Sequence, residues 1–581
     1  MQSAKSVKSV AISSPEIQDR VKRLSEQLRQ AYIDYIGDIS RTQPRDWWRT
    51  SVSEKNPYIS KTFFYACCIE ACREYLAGDD VGSRAVLRVD DPELRRALDK
   101  NLRRAGLSAR LSGPKWYWVW TTIRELTRIP LYQIYFLRHA TKILYARYRY
   151  RLHLSQPVQV LKGTPVCLTN TWVDLRAYSL ETGEFKDADF ADLTTYLRSK
   201  GHSVAGLASI SFEGASYGKV VRYIAQSNVP YLVPHAFLRL RDLITCLWRS
   251  FVKIPKRRKY PAFAGLEISD FIFGDLLREW TTQRDADHFL VERWVERFKE
   301  AGIVIGRFIY TFENHTWERV ICNALRTAYP PVRLIGYQPN GLPLMLLNYF
   351  ISNSESQSIP LPDRIVANGP YTAELLSSSG YGSNRVVLGG GLRQSYLQPV
   401  LYRGNGASVR PRPNGPRILV TPSIGRSSTV ELIRKVLRAF DRLSKMEIIL
   451  KCHPSIQFER VKPHLGSVHL PPHFRVSVEP LMSLLPTADL LIYNDGTFPA
   501  AEALAFGIPV IFVEPDCGLS LDSLDGFPHV RRTARTPEKI AELALEILNS
   551  PESGSLKTEG LAAVRQLVGE VTERTFELFA G

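Results

Sequence analysis

The residues best equipped for chemistry stand where apolar runs end. The run 447–450 leads into Lys451, Cys452, His453 and Pro454; the proline stops the strand and leaves an amine and an imidazole together at its carboxyl end. The run 417–421 opens into Pro422, Ser423, Ile424, Gly425, Arg426, Ser427 and Ser428, then a helix to about 443. In ADLLIYNDGTFPAAEALAFGIPVIFVEPD (488–516), the apolar stretch 490–493 meets Asn494, Asp495 and Gly496; a short amphipathic segment ends at Gly507, and a second apolar run, 509–513, follows. This reads as strand, turn, helix, strand, with Thr497 capping the helix and Pro499 in its first turn.

Right-handed crossovers make such strands parallel and bring their turns to one edge of a sheet, where open α/β sheets bind ligands. Free amide hydrogens at a helix N-terminus and a glycine at position 496 suit a phosphate or pyrophosphate. Arg426, Ser427, Lys451, His453, Asp495, Gly496 and Thr497 are the candidate donor-binding residues, with Glu502 placed for a ribose. The alternative is one more βαβ unit in which Glu502 merely favours a helix N-terminus. A second set lies upstream. Glu313 and His315 follow the run 304–311, and Asp174 lies in the loop after the strand that begins at 166.

The order of these motifs carries a resemblance. A basic KxHP strand end, a downstream AD-apolar-NDGT turn and EALAxGxPVI are similar to the nucleotide-binding half of glycosyltransferases with the GT-B fold. YTFENHTWERV (310–320), IGYQPNGLP (335–343) and PDRIVANGPYTAELLSSSGY (362–381) resemble bacterial surface-carbohydrate biosynthesis proteins of the capsule and O-antigen type. The match spans roughly 165–550. One position departs, since Pro339 follows Gln338 where many relatives carry histidine, and that loop is left without a role.

The resemblance implies two Rossmann-like α/β domains facing across a cleft. The expected divisions are a mostly helical, basic extension (1–160), an acceptor domain (161–397), a linker (398–415), a nucleotide-sugar-binding domain (416–550) and a C-terminal helix packing back (551–581). It implies a glycosyltransferase that moves a sugar from a nucleotide-activated donor to a bacterial surface polysaccharide or its lipid-linked precursor, with no metal and no cofactor. The leaving phosphate needs positive charge, and an inverting reaction needs a base for the acceptor hydroxyl. Glu313 with His315 beside it is the candidate base and Asp174 the reserve. Two other readings fit the motifs: transfer of a polyol phosphate from a CDP-activated donor, as in teichoic-type polymerases, and a non-catalytic nucleotide-binding scaffold of a glycan assembly complex. Gly389–Gly391 reads as a flexible turn rather than a phosphate loop.

Composition sets the remaining bounds. With 581 residues and 44% hydrophobic content the chain builds large cores and at least two domains, which excludes a disordered protein. No signal-peptide pattern and no charge-free window of membrane-spanning length is present, so the expected location is cytoplasmic or peripheral on the inner face of the plasma membrane. Of eight cysteines, Cys67, Cys68 and Cys72 are close together, but no second ligand pair completes a zinc site, and buried free thiols are expected. The net charge of +18 is concentrated: 103–151 holds eleven Lys and Arg against Glu125 alone, and 237–259 holds eight against Asp242 alone. Both stretches interleave charge with aromatics, which fits either an anionic membrane surface or a helical pair with a solvated basic side. No nucleic-acid-binding fold is visible.

Overall fold

Near-continuous apolar runs such as Leu490–Tyr493 and Val510–Val513 are buried along their whole length, the mark of parallel strands covered on both faces. In the computed structural model, residues 9–44, 46–78, 85–113, 117–173, 177–210, 217–403, 415–466, 469–496, 498–549 and 553–581 are described.

Strands β1 (Ser9–Ala11), β2 (Val86–Arg88) and β3 (Arg110–Ser112) form a small parallel sheet. The helical periodicity of the first 160 residues hides it, because strands of three residues are too short to show a two-residue alternation. Around it pack the helices Pro15–Ser40, Thr62–Ala77 and Pro92–Arg104, the last capped by Asp91 through the amides of Glu93 and Leu94. This unit is no loose appendage. Tyr32 and Phe63 share one apolar core with Phe308 and Phe312 of the middle sheet.

The middle sheet contains β4 (Pro165–Trp172), then, beyond a hairpin of β5 (Tyr178–Ser179) and β6 (Glu184–Phe185), β7 (Val204–Ser209), β8 (Tyr231–Leu232), β9 (Val304–Thr311), β10 (Arg333–Gln338), β11 (Arg364–Ala367) and β12 (Val386–Leu388). Its order is β12-β11-β10-β9-β4-β7-β8, parallel throughout. The third sheet comprises β13 (Arg417–Thr421), β14 (Glu447–Leu450), β15 (Phe474–Val476), β16 (Leu490–Tyr493), β17 (Val510–Val513) and β18 (Arg532–Ala534), in the order β15-β14-β13-β16-β17-β18. Both are doubly wound, and each reverses direction once, between β4 and β9 and between β13 and β16. This is the GT-B-like pair of Rossmann-like bodies, with a mostly helical N-terminal part.

The chain end ties the two bodies together. Val564 and Leu567 of the helix Ser553–Leu567 enter the third sheet's core beside Leu397, Leu401 and Leu504, whereas Phe579 of the helix Glu573–Ala580 lies beside Tyr337 of β10. Gly389–Gly391 serves this packing: Gly391 N–H donates to Gly569 O at 3.0 Å, and a Cβ on Gly390 would stand 2.5 Å from Glu570 O. Of the expected linker, 404–414 lie outside the described residues. Seven cysteines are buried free thiols and Cys517 is exposed.

Gly369 tests this clamp. A Cβ there would meet Leu567 O at 2.4 Å and Gln566 O at 2.6 Å, both backbone atoms. We expect Gly369→Ala to cost about 1–3 kcal/mol, read as a lower urea midpoint, as for other overpacked sites; an unchanged midpoint would mean that the C-terminal helix does not press on this position.

Candidate active site

The carboxyl edges of the two large sheets face one another across a cleft of about 1190 Å³, whose lip is completed by Asn56 and Tyr58 of the N-terminal unit. On the side of the third sheet, Lys451 and His453 line it directly after β14. His453 Nδ1 accepts the Ser455 N–H at 3.2 Å, so a neutral ring carries its proton on Nε2. Burial, then Arg393 and Lys451, push its pKa down and keep it neutral. Arg393 reaches the same space from the middle body, its Nη1 donating to Asn340 Oδ1 at 3.1 Å. Lysine, arginine and a neutral imidazole donor thus converge in one half of the cleft.

Glu502 also lines the cleft, but its Oε1 accepts the Tyr396 hydroxyl of the turn Ser395–Leu397 and the residue is buried. Gly496, at φ 67°, occupies the left-handed region that favours glycine. Its close neighbour is Tyr58, whose hydroxyl would lie 2.5 Å from a Cβ there.

The opposite wall is built around the turn after β9. Asn314 holds φ 57°, a left-handed conformation that asparagine tolerates better than most residues. The turn is pinned from both sides. Glu318, in the first turn of the helix Thr316–Ala328, accepts the N–H of Glu313 (3.1 Å) and of Asn314 (2.9 Å), and buried Arg319 donates to Asn314 Oδ1 at 3.1 Å. The turn presents Glu313 Oε2 2.9 Å from His315 Nε2, while His315 Nδ1 lies 2.8 Å from Glu54 Oε1. A ring flanked by carboxylates on both nitrogens is satisfied only when both carry protons. Burial alone would lower the His315 pKa, but the bonds to Glu313 and Glu54 raise it to about 10, so it is an imidazolium at neutral pH. Burial would raise Glu313 in turn, yet His315 holds it below its ordinary value and ionised. Burial lifts Glu318 to about 8.

Glu54 comes from the short helix Ser51–Glu54 and is fully buried. Its second oxygen accepts from Arg284 Nη2 (2.7 Å), Thr316 Oγ1 (3.1 Å) and Thr316 N–H (3.3 Å). Nothing in the sequence announces this residue, whose partner lies 261 positions away. Arg393 had a faint signal, standing just after the three glycines at a strand's carboxyl end. Tyr58 and Tyr396 had none.

Three of the residues singled out from sequence are not brought into the cleft. Arg426 and Ser427 line a separate groove of about 980 Å³ with Arg434, Arg438 and Arg460, because they begin the helix Arg426–Phe440 while Pro422 and Ile424 of the preceding loop occupy the cleft wall. Asp495 turns inward, accepts the Leu521 N–H at 2.9 Å, and is raised to about 7 by burial. Asp174 and Thr497 lie outside the described residues. The helix after Thr497 spans Pro499–Ala505, with Phe498 at the cap position.

No protein-family model and no curated protein matches the chain. Among solved structures it is similar to the glycosyltransferase SnogD from Streptomyces nogalater, at 18% identity over 72% of this chain and 99% of that one, with a TM-score of 0.40. MurG from Acinetobacter baumannii is similar at 12% identity, over 72% and 99%, with a TM-score of 0.39. UDP-GlcNAc 2-epimerase from Neisseria meningitidis bound to UDP-GlcNAc is similar at 12% identity, over 71% and 98%, with a TM-score of 0.38. Likeness at this level carries no activity from those proteins to this one.

The carboxylate–imidazolium–carboxylate chain has a pH signature. The folded His315 pKa, about 10, lies above the ordinary histidine value, so its contribution to stability is complete below that ordinary value and is lost as pH rises through the folded one. The difference in unfolding free energy between the parent and His315→Gln is therefore expected to be largest near neutrality and to shrink toward alkaline pH. A difference that stays flat would show that the ring is not held as an imidazolium.

Proposed function

We propose that the protein is a glycosyltransferase that moves a sugar from a nucleotide-activated donor to a glycan acceptor of the bacterial surface, or to its lipid-linked precursor. One observation carries the reading: Lys451, His453 and Arg393 converge in one half of a cleft whose other half presents an ionised carboxylate oriented by an imidazolium. The donor's diphosphate lies against the basic group, which neutralises the charge that grows on the leaving phosphate. Glu313 takes the proton of the acceptor hydroxyl as its oxygen attacks the anomeric carbon and the bond to the phosphate oxygen breaks. His315 keeps Glu313 ionised and aimed, and Glu54 fixes the ring from behind. Tyr396 holds Glu502 until a ribose takes the carboxylate over.

Two exposed stripes support work at a membrane face. The helix Tyr117–Arg149 leaves Ile123, Leu126, Ile134, Leu137, Tyr145 and Tyr148 exposed at spacings that return to one side, and the helix Leu240–Val252 does the same with Leu240, Ile244, Trp248 and Val252. Exposed Arg138, Arg149, Arg241 and Arg249 stand among them. Among the described residues no helix is long and apolar enough to cross a membrane, so the contact would be interfacial.

Glu313→Gln is expected to lower turnover by roughly 10² to 10⁴-fold, the usual worth of base catalysis, with nucleotide affinity nearly unchanged. Lys451→Ala should weaken nucleotide binding instead. A thermal-shift screen against CMP, CDP, UDP, GDP and dTDP identifies the base, since a ligand of the native state raises its melting temperature. Transfer of a polyol phosphate from a CDP-activated donor, with no sugar transfer, would favour the phosphotransferase reading, and binding without turnover the scaffold. Parent turnover in Glu313→Gln would remove the base assignment.

For the membrane, vesicle flotation should recover the protein with phosphatidylserine-containing vesicles and less of it at high salt, because screening acts over about 10 Å at 0.1 M. The pair Ile134→Glu and Trp248→Glu should release it. Equal binding to neutral vesicles, or none, would leave two solvated helices.

A further inference from the structure

Behind the cleft wall lies a second cluster that the transfer reading does not use. Glu279 stands in the last turn of the helix Ser269–Thr281, and Asp285 and His288 lie three apart in the first turns of the helix Arg284–Glu300. The two helices meet through Thr282 and Gln283, the latter in the left-handed region at φ 50°, which folds the end of one against the start of the next. One carboxylate oxygen of each acid and one ring nitrogen of the histidine all lie within 4.8 Å of one another. The site is buried: Glu279 is 9% exposed and His288 3%.

Its polar atoms are only half satisfied. Glu279 Oε2 is held by the Ser51 N–H (3.0 Å) and hydroxyl (3.1 Å), but Oε1 is buried without a hydrogen-bond partner. His288 Nδ1 is likewise buried and unpartnered, facing Asp285 Oδ1 at 3.5 Å. Gln283 Oε1, in the connecting turn, is a third buried atom without a partner. Lys253 approaches only the outer oxygen of Asp285, Oδ2, at 3.2 Å, and also binds Asp46 at 2.9 Å; Arg284 is turned away toward Glu54. Glu279 and His288 thus each keep a buried atom without a hydrogen bond, in a group whose ligand atoms lie within 4.8 Å of one another. Leaving such atoms unpaired in the interior is unfavourable, the more so where a charge is involved.

We infer that Glu279, Asp285 and His288 bind a divalent transition-metal ion, zinc being the best match. An imidazole beside two carboxylates suits zinc or its neighbours rather than calcium or magnesium, which prefer all-oxygen shells with more ligands. Ser51 orients Glu279 in the way that outer hydrogen bonds orient metal ligands. Glu54 ends the same short helix, so the ion ties the N-terminal unit to the two helices and steadies the residue that holds His315. None of the three ligands lines the cleft, and the ion takes no part in transfer.

The test uses the full chain, stripped with chelator, loaded with Zn²⁺, desalted and assayed for metal by mass spectrometry. The parent should retain about one zinc per chain and melt at a higher temperature when loaded, as binding to the native state requires. His288→Gln and Asp285→Asn should each retain several-fold less. Because either variant could fail to fold, the parent is also loaded with Co²⁺: weak visible bands of oxygen and nitrogen ligation support the site, whereas intense thiolate bands place the metal on cysteine and overturn it. A parent that retains no zinc, or variants that retain as much as the parent, would overturn it equally.

Discussion

A buried carboxylate from residue 54 and a carboxylate at the cleft surface grip one imidazole between them, and much of the molecule is arranged so that this can persist. Each of these charges would be costly alone in a low-dielectric interior. Together they are tolerable because every oxygen of Glu54 has donors: His315 and Asn56 on one side, Arg284 and Thr316 on the other. The strained Asn314 backbone, the amides held by Glu318 and the guanidinium of Arg319, which also binds Trp48 O and Ser53 O, belong to the same knot. The N-terminal unit therefore completes a wall of the cleft rather than decorating it.

Much of this arrangement can be read in the sequence, and the exceptions have physical causes. The alternation of short apolar runs with amphipathic segments gives two parallel sheets, because buried strands and covering helices each have a period that local sequence must keep. The strand-end positions of Lys451, His453 and Glu313 follow from where those runs stop. Arg426 did not follow, since a residue at a strand-end loop faces the cleft but one turn into the helix it can face the other way. Glu54 could not be found at all: contacts between distant segments are fixed by packing, and a single glutamate in a polar stretch looks like solvent-facing charge. The three-residue strands of the N-terminal sheet escaped for the opposite reason, being too brief to show their own period.

Glycine plays two separate parts. At Gly390 and Gly391 the missing side chains admit the C-terminal segment, Glu570 O against the first and the Val568 side chain against the second, so glycines that resemble a ligand loop are a packing surface. At Gly496 the missing side chain admits Tyr58 from the N-terminal unit. Remote parts of the chain thus approach closely at glycine, the C-terminal segment at Gly390 and the N-terminal unit at Gly496.

The bond from Tyr396 to Glu502 joins the segment that leaves the middle sheet to the helix Pro499–Ala505 at the cleft. A donor whose ribose claims that carboxylate replaces a contact the protein already makes with itself, and its affinity is then a difference between two bonds rather than the worth of one. On the proposed function, nucleotides lacking the ribose hydroxyls leave the bond from Tyr396 to Glu502 in place. Under the proposed function this bond acts as a filter, setting a threshold that a bare phosphate does not meet.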